Sequence, residues 1–204
     1  MPNFDKARFF DVCRAGVMGP TLDQGEVSGA EAVLGAVEGL PIAWAAYALA
    51  TAWHETAHTM QPIKELGGER YFFRMYDIAG QRPKLARENG NIHPGDGCRF
   101  CGRGYVQLTW RANYARAGKA LGVDLEGNPD LAMRPDIAAK ILRWGMTKGA
   151  FTGIALTDRL PAVGGAGARQ FIDARWIINR SDKAEVIAGY ALDFQAALKV
   201  GGWA

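Results

Sequence analysis

Cysteine, histidine and uncompensated charge are all scarce in this 204-residue sequence, and each shortage narrows the field. Three cysteines, Cys13, Cys98 and Cys101, are too few and too odd in number to frame a disulfide-stapled fold. Lys and Arg total 24 against 21 Asp and Glu, a formal net charge of +3. That balance excludes a strong electrostatic nucleic-acid binder, which needs a dense basic face, and still permits an acidic polymer as partner. Long hydrophobic runs are missing. The longest uncharged stretch, residues 39–54, contains Pro41 and His54 and falls short of the roughly 18 apolar residues of a spanning helix, so no membrane insertion is expected. Charges at Asp5, Lys6, Arg8, Asp11 and Arg14 interrupt the first residues, and no apolar segment or small-residue cleavage site follows. The reading predicts synthesis in the cytoplasm without a signal peptide, with any action outside the cell requiring another release route.

What is present can fill a core: 49% of the residues are hydrophobic and 10% aromatic, which excludes wholesale disorder. The length suits one domain. Helical period marks both ends of the chain. Residues 4–16 place Phe4, Ala7, Phe10, Val12 and Cys13 near a 3.6-residue period, and Ser28-Gly-Ala-Glu31 has the spacing of a capping box opening a short helix to Glu38. Residues 42–60 follow Pro41, carry six alanines between 42 and 52, and are apolar almost all round, as expected of a central helix. Further helices are predicted over 136–148 and 182–199. Residues 61–108 break this pattern with Pro62, Pro83, Pro94 and eight glycines, and read as a loop-rich insertion. One alternation closes it, Tyr105-Val-Gln107-Leu-Thr109, which predicts an extended segment with Gln107 and Thr109 on the same side.

The chemistry-bearing motif with the clearest spacing is His54-Glu55-Thr-Ala-His58 at the end of the apolar helix. Two histidines at i and i+4 with a glutamate between them fit a zinc peptidase, for which Glu69 or Asp77 would have to supply a further ligand. A structural reading has Glu55 paired to an arginine. A third makes Glu55 a partly desolvated carboxylic acid near Tyr47 and Trp53, poised to donate a proton to a glycosidic oxygen. That reaction needs a second carboxylate, and Glu65 and Glu69 both lie downstream in the loop.

Gly102-Arg-Gly-Tyr-Val-Gln-Leu-Thr-Trp-Arg-Ala-Asn-Tyr114 resembles the signature of glycoside hydrolase family 19, the chitinases and their lysozyme-like relatives. The likeness extends through His54-Glu55-Thr56, Pro62-Ile-Lys-Glu65, Gly90-Asn-Ile-His-Pro-Gly-Asp-Gly97, Asn128-Pro-Asp-Leu131 and Ile177-Ile-Asn179. The compact chain looks most like the phage and bacterial endolysin branch. The resemblance implies a mostly α, single lysozyme-like domain with a helical core over 1–60 and 109–204, the insertion at about 61–108 forming one wall of a substrate cleft.

It also implies roles: Glu55 as general acid, Glu65 as general base, and Thr109 as the hydroxyl that holds the attacking water. Gln107, Asn113 and Asn179 match residues lining the sugar subsites, and His54 is assigned to substrate binding with them. Directly after Asn179 the chain departs from the family pattern, Arg180-Ser181 replacing two glycines. On the residues themselves, Tyr105, Trp110 and Tyr114 offer either faces for pyranose rings or ordinary core, and Arg103 either a clamp on a carboxylate or a structural salt bridge. The implied activity is inverting hydrolysis of β-1,4 bonds in peptidoglycan, the lysozyme or muramidase reaction, with chitin the alternative polymer. No cofactor or metal is called for, and a monomer is the default. A non-catalytic glycan-binding relative remains the other reading. Cys98-Arg-Phe-Cys101 is half a zinc site with no second pair at ribbon spacing, and receives no function.

Overall fold

The computed structural model describes residues 4–203. In chain order its helices are α1 (Lys6–Ala15), α2 (Gln24–Ala36), α3 (Ile42–Glu55), α4 (Glu69–Tyr76), α5 (Pro83–Glu88), α6 (Asp96–Arg99), α7 (Arg111–Leu121), α8 (Pro135–Lys148), α9 (Ala168–Ala174) and α10 (Ala184–Val200). Two short strands, β1 (Ile63–Lys64) and β2 (Arg103–Gly104), pair antiparallel with Ile63 opposite Gly104. Mostly α describes the fold. Among the described residues no helix is long and apolar enough to cross a membrane.

The chain divides into two compact units, one of Met1–Gln61 with Leu142–Ala204 and one of Pro62–Ile141, the division falling inside α8. In the first unit α3 is the axis. Eleven of its fourteen residues are buried, and its alanines let neighbours approach closely; α10 packs along it, with α9 and α1 against α10 and α2 against α3. The capping box predicted at Ser28 lies elsewhere: Asp23 accepts from the Glu26 amide while Glu26 reaches back to the Asp23 amide, and Ser28 sits inside α2. Both tetrads fit the pattern. Asp23 comes first, and once it caps the helix the Ser28 hydroxyl bonds back to the Gly25 carbonyl.

α3 is shorter than predicted, ending at Glu55 rather than near Met60. Ala57, His58 and Met60 all have left-handed backbone, with φ of 51°, 70° and 53°. The buried Thr56 hydroxyl stabilises the exit by donating to Ala52 O at 2.8 Å and accepting from the Met60 amide at 3.0 Å.

The second unit covers most of the stretch read as loop-rich, and short helices α4, α5 and α6 replace much of the expected loop. Its turns are held by two buried carboxylates. Asp77 accepts from the amides of Ala79, Gly95 and Gly97, and Asp96 from those of Ile92 and His93 and from the Arg111 guanidinium. Burial alone would raise the Asp96 carboxyl, but the Arg111 hydrogen bonds and the two amides outweigh it and hold the group below its ordinary range.

Candidate active site

In the first unit the site begins on one face of α3. Tyr47, Thr51 and Glu55 are four residues apart and share that face, and Arg175 stands against it from the 3-10 turn Arg175–Ile177 that follows α9. Arg175 is 1% exposed. Its Nη2 lies 2.8 Å from Glu55 Oε1, a charge contact off the line of a hydrogen bond, and its Nε donates to Asp182 O at 2.8 Å. Glu55 Oε1 is fully buried while the side chain keeps 22% exposure, so the accessible part of the carboxyl is on the Oε2 side. Tyr47 OH, Thr51 Oγ1 and Arg175 Nη1 are buried without hydrogen-bond partners among the described residues. Burial pushes the Tyr47 phenol up to about 12 against the opposing pull of Arg175, so it stays neutral near pH 7.

His54 is half-buried, and burial, opposed by Glu55, pushes its imidazole below the ordinary value, keeping it neutral at pH 7. His58 does not share its helix face, because α3 has already ended. The His58 ring instead stacks on Trp53 with centroids 4.8 Å apart, and its Nε2 is 3.1 Å from Tyr190 OH. The i, i+4 geometry on which the zinc reading rests is therefore not formed. No group of three or more His, Cys, Asp or Glu able to hold a metal gathers among the described residues. Asn179 is exposed and follows Arg175 directly in space, its amide donating to Arg175 O at 3.0 Å.

In the second unit Glu65 directly follows β1. Its backbone amide donates to Gly102 O, and its carboxylate accepts from Tyr76 OH at 2.6 Å on Oε1 and from the Gly102 amide at 3.1 Å on Oε2. Burial, followed by this bond to Glu65, raises the Tyr76 phenol well above its ordinary range, so it serves as a proton-bearing donor. The Tyr76 ring meets Trp110 edge-on at 5.0 Å. A Cβ on Gly102 would stand 2.7 Å from Gln107 Oε1 and 3.1 Å from Glu65 Oε2; only glycine lets these side chains meet over the backbone. Glu69 is exposed on the first turn of α4, so of the two candidates Glu65 has the organised surroundings.

The expected extended alternation is absent. Gln107 has φ of 52° and lies in a turn, because Arg103 and Leu108 pair through reciprocal backbone bonds and leave the residues between them to reverse the chain. Gln107 Nε2 donates to Ile63 O and Gly104 O, tying the turn to both strands. Thr109 Oγ1 donates to Gln107 O at 2.7 Å, so its hydrogen is committed and its lone pairs remain as acceptors. Asn113 donates to Thr109 O at 2.7 Å and accepts from Arg116.

Two readings are corrected by burial. Tyr105 is fully buried and has no face to offer a sugar; Tyr114 is likewise core. Arg103, 4% exposed, spends its guanidinium on Asp130, on Arg99 O and Cys101 O, and on Tyr114 OH, which makes it a structural bridge rather than a clamp. Arg175 and Tyr76 are the residues that sequence reading missed. A lone arginine among the apolar residues of 174–178 was the available signal for the first, and nothing local marks the second.

The profile of the chitinase class I family, glycoside hydrolase family 19, matches residues 44–150, just over half of the chain. Endochitinase 1 of Theobroma cacao is 41% identical over 69 residues, covering 28% of this chain and 22% of that protein. The chain thus spans about a fifth of the length of that curated relative. Chitinase C of Streptomyces griseus HUT6037 has a similar structure, with a TM-score of 0.62 at 24% identity over 98% of this chain and 76% of that one. A bacterial family 19 chitinase described as differing from the plant enzymes has a TM-score of 0.60 at 24% identity, over 98% of this chain and 96% of its own.

Proposed function

The chain belongs to the chitinase class I family, glycoside hydrolase family 19, and from that premise we propose that it hydrolyses β-1,4 bonds of an N-acetylglucosamine-containing glycan by inversion. Glu55 is the general acid and Glu65 the general base. The observation that carries this reading is the contrast between their settings, one carboxyl oxygen buried against a guanidinium and one carboxylate held by two uncharged donors. Pairs of acids made unlike by their surroundings are what acid and base roles require.

Glu55 donates from its accessible side to the leaving oxygen, and Arg175 stabilises the carboxylate left behind. Glu65 keeps one lone pair on each oxygen beyond those engaged by Tyr76 and Gly102, enough to take a proton from water. Thr109, able only to accept, takes the other hydrogen of that water and leaves its oxygen lone pair directed at the anomeric carbon. No covalent sugar–enzyme intermediate forms on this route.

Peptidoglycan is the polymer we assign. The mild positive charge favours an acidic wall glycan over neutral chitin, and synthesis in the cytoplasm with action on the wall after release fits the same reading. Chitin is the second substrate in view, supported by the chitinases among the relatives. Mass spectrometry of products from purified peptidoglycan and from chitin, each with an anomer-resolved NMR time course, tests all of this. Initial release of α-anomeric ends from peptidoglycan is the expected result. β-anomeric ends would refute inversion, and cleavage of chitin alone would move the substrate to that polymer.

A further inference from the structure

The segment after α9 carries groups that this chemistry leaves unused. Trp176 is 43% exposed although large aromatics are seldom left so open without cause, and its ring meets no other ring among the described residues. A cavity of about 330 Å³ lies beside it, lined by Thr152, Ile154, Trp176 and Arg180. The Arg180 guanidinium, exposed, makes neither ion pair nor hydrogen bond with any described residue. Arg180 also has left-handed backbone, φ 46°, at a position where the family pattern carries glycine. An arginine there carries backbone strain that glycine avoids. The strain is sustained because the turn is tied on both sides. Thr152 Oγ1 donates to Trp176 O and Ile177 O, the Asn179 amide to Arg175 O, and Arg175 Nε to Asp182 O.

An open indole face, a half-buried aliphatic side chain and a free guanidinium around one cavity suit a ligand that is flat and apolar on one side and anionic at one end. A neutral chain of N-acetylglucosamine has nothing to offer Arg180. An amino sugar bearing an ether-linked lactyl peptide has both the pyranose face and a carboxylate. We propose that the Trp176–Arg180 cavity is a subsite for the carboxylate-bearing peptide branch of such a muramyl sugar. The inference rests on the peptidoglycan reading above and assigns that reading a place on the protein. Because Arg175 grips both Glu55 and the Asp182 carbonyl of this turn, occupancy of the subsite is physically linked to the acid.

The test is calorimetric titration of the full chain with muramyl dipeptide, which has no glycosidic bond to cleave, and with N-acetylglucosamine as the neutral probe. Wild-type protein should bind muramyl dipeptide more tightly than N-acetylglucosamine, with affinity falling as salt is raised. Arg180→Gly suits the left-handed backbone and should keep the melting temperature while weakening muramyl dipeptide about tenfold. Trp176→Ala should weaken it comparably, and Arg180→Lys only in part. The proposal is overturned if Arg180→Gly binds muramyl dipeptide as wild type does, if the wild type fails to bind it, or if the wild type does not distinguish the two probes. Failure of the catalytic reading shows separately, as absence of new reducing ends from either polymer, and leaves the binding result standing.

Discussion

The two carboxylates assigned to the reaction are supported in opposite ways. Glu55 closes a fourteen-residue helix with eleven buried positions, and the charge against it comes from Arg175, far along the chain. Glu65 follows a two-residue strand, and its partners are a phenol and a backbone amide within a small unit of short helices and turns. A buried ion pair is costly to break and fixes one oxygen firmly, whereas neutral hydrogen bonds hold a carboxylate without a formal counter-charge. The first arrangement suits a group that must donate a proton and then exist as an anion. The second suits one that must accept.

That contrast can be broken at several points. Glu55→Gln should lower kcat by about 10²- to 10⁴-fold while the fold persists, because the amide oxygen still faces Arg175 but has no proton to give. Reducing-end assays with a melting curve read both, and near-normal turnover would remove Glu55 from the chemistry. Arg175→Ala should come next, costing about 3–5 kcal/mol in denaturant unfolding, since it removes the buried guanidinium that faces Glu55 and frees the Asp182 carbonyl. A loss below about 1 kcal/mol would mean that the pair contributes little to holding Glu55.

In the second unit Gly102→Ala should cost about 1–3 kcal/mol, because its Cβ must displace Gln107 or Glu65, with a fall in kcat alongside. Tyr76→Phe should cost only about 0.5–1.5 kcal/mol and a modest part of kcat, one neutral hydrogen bond being lost. An equal penalty for Tyr76→Phe and Arg175→Ala would erase the distinction between the two settings.

Acid sharpens the same comparison more gently. His54 has a folded pKa below its ordinary 6.5, so the unfolded chain takes up the proton first and stability is lost as pH falls below about 6.5. Asp96 has a folded pKa below its ordinary 3.8; its contribution is full above that value and is lost as pH falls through the depressed one. Denaturation midpoints followed downward from neutral pH should show a shallow early loss that His54→Gln removes. A later loss should be absent in Asp96→Asn, whose midpoint is already lowered at neutral pH.

Local signals carried the helices well. α1, α3, α8 and α10 begin close to where period, caps and proline place them, because those forces act within a turn or two. They failed where a longer-range partner chose between local options. Residues 56–60 are compatible with helix, yet the Thr56 hydroxyl and three left-handed residues end it. Gln107 to Thr109 alternates like a strand, yet the Arg103–Leu108 pairing bends it into a turn. Glu55 stood out by its place at the end of an apolar helix, and Glu65 and Thr109 through the family resemblance, while Arg175 and Tyr76 carried no such mark, their interest lying wholly in what they touch.

Residue order alone determined the kind of protein this is: mildly charged, mostly helical, with an alanine-rich axis ending in an acid and a glycine-punctuated motif downstream. The folded molecule alone decided which polar groups work and which merely support, turning Arg103 and Tyr105 inward and setting Arg175 beside Glu55. The division has a simple physical basis. Helix propensity and capping depend on neighbours a few residues away, whereas desolvation and ion pairing depend on surfaces that meet only when distant segments pack.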